Sequence, residues 1–104
     1  MLRTKRKPSS IGTILKEEYL EPLSITQEKL SQAMGVSRKT VNELCNDRRS
    51  VTADMAWILA KALNTSPEFW LNIQQQNDLW LAINTPSRKK KIEKAKKLIP
   101  TKAA

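Results

Sequence analysis

Apolar side chains recur along this chain at intervals of three and four residues, the spacing that lays one stripe down a helix. Ile11, Ile14 and Leu15 begin the pattern, with Tyr19 continuing it; Leu30, Ala33 and Met34 repeat it, and so do Val41, Leu44 and Cys45. Met55, Ile58, Leu59, Ala62 and Leu63 make a fourth stripe, and Phe69, Trp70, Ile73, Asn77 and Trp80 or Leu81 a fifth. The breaks between stripes hold the chemistry of helix ends. Ser9 or Ser10 precedes the first helix and Pro22 ends it, while Thr26, Ser37 and Thr52 stand where the next three helices need an N-cap oxygen. Asp54 suits the positive end of the fourth helix, and Asn64 suits its stop. Ser66-Pro67-Glu68 is a helix restart with cap, first-turn proline and acid in order. Thr85-Pro86 offers a cap for a further helix over 87–99, in which Ile92, Ala95, Leu98 and Ile99 form a thin stripe among lysines before Pro100; so charged a segment is a candidate to become helical only when bound. The expected fold is all-α, with five helices and this lysine-rich C-terminal helix as a candidate addition.

The densest information lies between Gln27 and Asn46. Two short helices are separated by Gly35, where the chain needs the positive φ that glycine adopts at low cost. Val36 plugs the turn, and small or apolar residues stand at Ser31, Gly35, Val41 and Leu44. That spacing fits two helices crossing steeply through a short turn and resembles the helix-turn-helix motif of phage-repressor-like regulators; the bland alternative is an ordinary αα-corner. If the motif is a reader of DNA, the helix from Arg38 enters the major groove by its N-terminal end. Arg38 and Lys39 then donate to guanine, Asn42 has the geometry for adenine, and Thr40 meets a thymine methyl or a phosphate. Gln27 and Ser37 are placed to hold phosphates. Arg48 and Arg49 either lie near the DNA backbone or pair with local acids such as Asp47. One such module makes too few contacts for specificity, so a two-fold dimer on an inverted repeat is expected. The apolar far end of the fifth helix, Leu79-Trp80-Leu81, is its candidate interface.

Charge sharpens the picture. The chain of 104 residues has a formal net charge of +9, yet residues 8–87 carry −2, while residues 1–7 carry +4 and residues 88–104 carry +7. Basic ends suit a phosphate backbone or an acidic partner; the alternative is that they are solvated tails. The division expected is a basic flexible arm over 1–8, a helix-turn-helix domain with a dimerising last helix over 9–83, and a lysine-rich extension over 84–104. No apolar run is long enough to span a bilayer or make a signal peptide, and the single cysteine cannot pair internally, so a cytoplasmic protein is expected.

Catalytic chemistry has little to work with. The chain has no histidine and one cysteine, which removes Cys–His and Ser–His–acid nucleophiles. No cluster has metal-ligand spacing, and two glycines make no phosphate loop. Glu17 and Glu18 are adjacent and diverge by about 100° on a helix. Cys45 reads as a small, half-buried packing residue. No enzyme, cofactor or metal is expected.

Three stretches carry a family resemblance: LKEEYLEPL at 15–23, LSQAMGVSRKTVNEL at 30–44 and NTSPEFWLNIQQQNDLW at 64–80. Over about residues 8–81 the chain is similar to HigA-type (VapI-type) antitoxins. The resemblance implies a dimeric repressor that binds its own promoter and neutralises a HigB-type, RelE-like toxin that cleaves mRNA on the ribosome. It also implies that Arg38–Cys45 is the recognition helix and that the helix containing Phe69–Trp80 builds the dimer. The lysine-rich end departs from the family pattern. No motif fixes the toxin contacts; the outer side of the first helix, Lys16, Glu17 and Glu21, is the candidate because a basic ribonuclease attracts acids. Two rivals stand beside this reading: a solitary regulator with the same DNA site and no toxin, and a protein-interaction module whose helix-turn-helix is structural.

Overall fold

The computed structural model describes residues 6–99, and among them the secondary structure is all helical. Arg3 and Lys5 of the basic arm and the stop at Pro100 lie outside the described residues. Helix α1 (Ile11–Ile14) continues without a break into a π-helical segment, Leu15–Leu20. Helices α2 (Gln27–Met34), α3 (Arg38–Cys45), α4 (Ala53–Leu63), α5 (Pro67–Asn84) and α6 (Pro86–Lys94) follow. No described helix is long and apolar enough to cross a membrane.

Five of the six expected caps form. The hydroxyls of Ser10, Thr26, Ser37, Thr52 and Ser66 each accept from the amide three residues on, which satisfies one of the free amides of each first turn. Gly35 ends α2 at φ 70°, and Asn64 ends α4 at φ 55°.

The π-helical segment is not visible in the spacing. Its Glu21 amide reaches the Lys16 carbonyl at 2.9 Å, and the Ile25 amide reaches that of Leu20 at 2.8 Å. An α-helix would set Leu15 and Leu20 about 140° apart; the wider winding brings both into the core, where both are buried. The cost of irregular hydrogen bonding is offset by burial of a second leucine.

The core is built by Leu15, Leu30, Val41, Leu44, Leu59 and Trp70, each at most 2 % exposed. Trp70 is its largest member: its indole N–H donates to Thr65 Oγ1 at 2.7 Å, and Tyr19 and Phe69 pack on its ring. Such burial of an indole is worth about 3–5 kcal/mol against truncation to alanine. Helix α5 packs on α4, α4 on α2, and α1 on both α3 and α5.

Five expectations need correction. Ala33 is exposed and Ser31 is buried in its place, its hydroxyl spent on the Glu28 carbonyl at 2.7 Å; α2 is rotated to bring its smallest polar side against the bundle. In α4 the buried face is Ala56, Leu59 and Ala60, with Met55, Ile58, Ala62 and Leu63 only partly covered, because small residues let α5 approach closely. Cys45 is fully buried rather than half-buried. Helix α6 ends at Lys94 instead of reaching Ile99, and none of its residues is buried; its stripe is too thin to hold it to the core. Thr85 gives it no side-chain cap, because its hydroxyl donates backwards to the Leu81 carbonyl.

Candidate nucleic-acid interface

The surface of interest begins at the α2–α3 turn. Leu30 and Met34 of α2 and Val41, Leu44 and Cys45 of α3 turn inward, and this leaves Arg38, Lys39 and Asn42 exposed on the outside of α3. Ser37 Oγ accepts from the Thr40 amide at 3.1 Å and lies 2.9 Å from Thr40 Oγ1. The two hydroxyls are therefore engaged with each other.

Gln27 and Asn42 meet across the turn, with Asn42 Nδ2 donating to Gln27 Oε1 at 3.2 Å. The pairing divides the two amides usefully. Asn42 keeps its carbonyl oxygen and one N–H, the acceptor–donor pair that the adenine edge requires. Gln27 keeps its two Nε2 hydrogens, which suit a phosphate oxygen.

Arg49 does not pair with Asp47. Its Nε and one terminal nitrogen both donate to Glu43 Oε1, at 3.1 and 2.7 Å, and the bond to Arg49 holds the Glu43 carboxyl below its usual range. Arg48 is exposed. Asp47, at φ 56°, is spent elsewhere: one carboxylate oxygen accepts from the Gly12 amide at 2.8 Å and the other from the Ser10 hydroxyl at 2.7 Å. The far end of the same loop is held by Gln74, whose Oε1 accepts from the Val51 amide at 3.0 Å. The loop carrying both arginines is thus clamped to α1 at one end and to α5 at the other. Asp47 and Gln74 are positioning residues that spacing does not reveal, since each acts on a backbone amide more than twenty residues away.

The remaining predicted residues are not brought together. Leu79, Trp80 and Leu81 are consecutive, so they spread over about 200° of the helix, and a partner that meets all three wraps around the end of α5. Leu79 and Leu81 are 38 % and 43 % exposed, and Leu81 borders a polar cleft of about 260 Å³ with Ser10, Asp47 and Asn77. The Lys7 ammonium lies 6.0 Å from the Trp80 ring centre, and Asn77 Nδ2 donates to the Ser9 carbonyl at 2.9 Å. Glu17 and Glu21 are exposed, whereas Lys16 is half-buried. Among the described residues no group of three or more metal-ligating side chains is assembled.

A capped, solvent-facing helix set on its predecessor through a left-handed glycine turn is the arrangement of a helix-turn-helix. Residues 16–70 match the family described as Helix-turn-helix. Antitoxin HigA-1 of Vibrio cholerae is 54 % identical over 80 residues, covering 77 % of this chain and 75 % of that protein. An HTH-type transcriptional regulator of Haemophilus influenzae is 49 % identical over 75 residues, 72 % of this chain and 70 % of its own length. Antitoxin GraA in complex with its operator superposes with a TM-score of 0.83 at 35 % identity, over 95 % of this chain and 99 % of that one. The chain belongs to the XRE-type helix-turn-helix family and to its HigA/VapI branch of antitoxins. That family binds DNA and is not enzymatic.

Proposed function

We propose that the protein is a cytoplasmic antitoxin that represses its own operon and neutralises a HigB-type, RelE-like toxin. The observation that carries the DNA half is the exposed face of α3, where Arg38 and Lys39 flank an Asn42 held in orientation by Gln27. In this reading Arg38, Lys39, Thr40 and Asn42 meet base edges, and Gln27, Ser37, Arg48 and Arg49 meet phosphates, Arg49 after release from Glu43. The domain spans 9–83 between a basic arm, 1–8, and the extension 84–104. Two copies joined through the far end of α5, at Leu79, Trp80 and Leu81, read the two halves of an inverted repeat.

The toxin half rests on the antitoxin relatives and on the exposed acids Glu17 and Glu21, which complement a basic ribonuclease. The regulator relative supports the second reading, a solitary transcription factor with the same DNA site.

Titration against the protein's own upstream promoter and against scrambled DNA, at near-physiological salt, tests the DNA reading. A preference of about a thousandfold or more is expected, and Arg38→Ala and Asn42→Ala each lower it by about ten- to a hundredfold. Equal binding to both DNAs overturns the repressor reading. Co-expression with a small basic RelE-like protein encoded beside the gene tests the other half: co-elution and loss of mRNA cleavage are expected, both weakened by Glu17→Lys with Glu21→Lys. Absence of any such complex leaves the solitary regulator standing.

A further inference from the structure

We propose that α6 is a second phosphate-binding surface, blind to sequence, which grips duplex DNA in addition to the site read by α3. The inference rests on the DNA-binding reading above and adds a surface that the helix-turn-helix does not contain.

Residues 88–99 hold seven cations against the single acid Glu93, and all are exposed. The Arg49–Glu43 ion pair lies far from this helix in sequence, and none of the cations of α6 takes part in it. Successive residues of a helix turn by about 100°, which places Lys90, Lys94, Lys91 and Arg88 on one arc of about 160°. Ile92, Lys89 and Glu93 take the other side. The four cations therefore form one ridge along the same side of the helix.

This ridge works against its own helix. Arg88 and Lys91, Lys91 and Lys94, and Lys90 and Lys94 are like-charged pairs at i+3 or i+4. The first turn holds no acid and the cap residue gives no side-chain hydrogen bond. Nothing is buried in return. A helix with this pattern gains from a polyanion laid along it, and duplex DNA offers about one charge per 1.7 Å of axis. Helix α6 is about 13 Å long, so a stretch of duplex backbone supplies partners for the whole ridge at a density that scattered carboxylates on a protein surface do not reach. Three of the four ridge cations are lysines, which reach phosphates as flexible point charges, and Arg88 is the one guanidinium among them. A grip built mainly of such point charges is expected to be independent of sequence.

The test compares the full chain with a fourfold variant, Arg88→Gln, Lys90→Gln, Lys91→Gln and Lys94→Gln. Each is titrated with promoter and scrambled duplexes across a range of salt, and thermal melting verifies that the variant folds. The expected result is a fall of about three to four per protomer in the slope of log K against log salt. The fall is equal on both duplexes, and the promoter preference does not change. An unchanged slope overturns the proposal, as does a loss confined to the promoter. Tighter binding of the parent chain to single-stranded RNA of equal length also overturns it. The two readings fail separately. Lack of promoter preference in the parent removes the repressor, while the slope still judges α6; an unchanged slope with promoter preference intact removes α6 alone.

Discussion

The carboxamides of Gln27 and Asn42 join the first residue of α2 to the middle of α3, 3.2 Å apart across fifteen residues of sequence. The pair is exposed, so it adds about 1 kcal/mol or less to stability. Its effect is orientation: it fixes which way the Asn42 amide faces and leaves Gln27 its donors.

Asn42→Ala is therefore expected to cost about 1–3 kcal/mol of discrimination, roughly ten- to a hundredfold in promoter preference, with scrambled-DNA binding unchanged. Gln27→Ala is expected to do two things at once: weaken both DNAs and lower the preference. Titration of the double variant checks the link. If the two amides act through each other, its loss of preference is smaller than the sum of the single losses.

If Arg49 meets a phosphate as proposed, Glu43 competes with DNA for it. Replacing it in Glu43→Gln releases the guanidinium and removes a negative charge from the groove side. Affinity for promoter and scrambled DNA rises together, and the salt slope steepens by about one. The pH dependence has a definite sign. Because Arg49 holds the carboxyl below its usual range, the ion pair is present at neutral pH and is lost only as pH falls through that lowered value. Lowering pH from 7 to 5 is expected to produce no gain in DNA binding assignable to Glu43.

The two glycines resist substitution for different reasons, and thermal melting separates them. A Cβ on Gly12 collides with the carbonyl of Cys45 and presses on the Asp47 carboxylate. Gly12→Ala forces α1 off the end of α3 and is expected to cost about 1–3 kcal/mol. A Cβ on Gly35 meets nothing, but the residue sits at φ 70°. Gly35→Ala is expected to cost about 1 kcal/mol of backbone strain, and Gly35→Asn less, since Asn tolerates this region.

Burial pushes the Cys45 thiol up from its usual range. The unfolded chain ionises at about pH 8.5 and the folded chain only at a higher pH, so the stability contributed by the neutral buried thiol is present below about pH 8.5 and is lost as pH rises through the raised folded value. Alkylation by iodoacetamide at pH 8.5 is expected to be about a hundredfold slower in the native protein than in denaturant. Equal rates in the two states sink the assignment of Cys45 to the core.

The sequence by itself determined most of the local structure. Caps and stops at Ser10, Thr26, Gly35, Ser37, Thr52, Asn64 and Ser66 act within three or four residues, so their chemistry is complete in the text of the chain. The stripes that build the all-helical core are local in the same sense, and so is the identity of α3 as the outward helix, since Arg38, Lys39 and Asn42 fall off the apolar face. Tertiary structure decided everything that depends on how far apart those helices sit. The five-residue winding at Leu15–Leu20 exists because both leucines must reach a core that other helices enclose. Ser31 is buried and Ala33 is not, because α2 is rotated by its neighbours. Asp47 became the clamp of α1, leaving Arg49 to Glu43, because helix packing brought a loop and a helix end thirty-five residues apart to within 2.8 Å. Periodicity reports which face of a helix is apolar; only packing determines which polar side chains meet across the gap, and on this surface those meetings set what is left free to touch DNA.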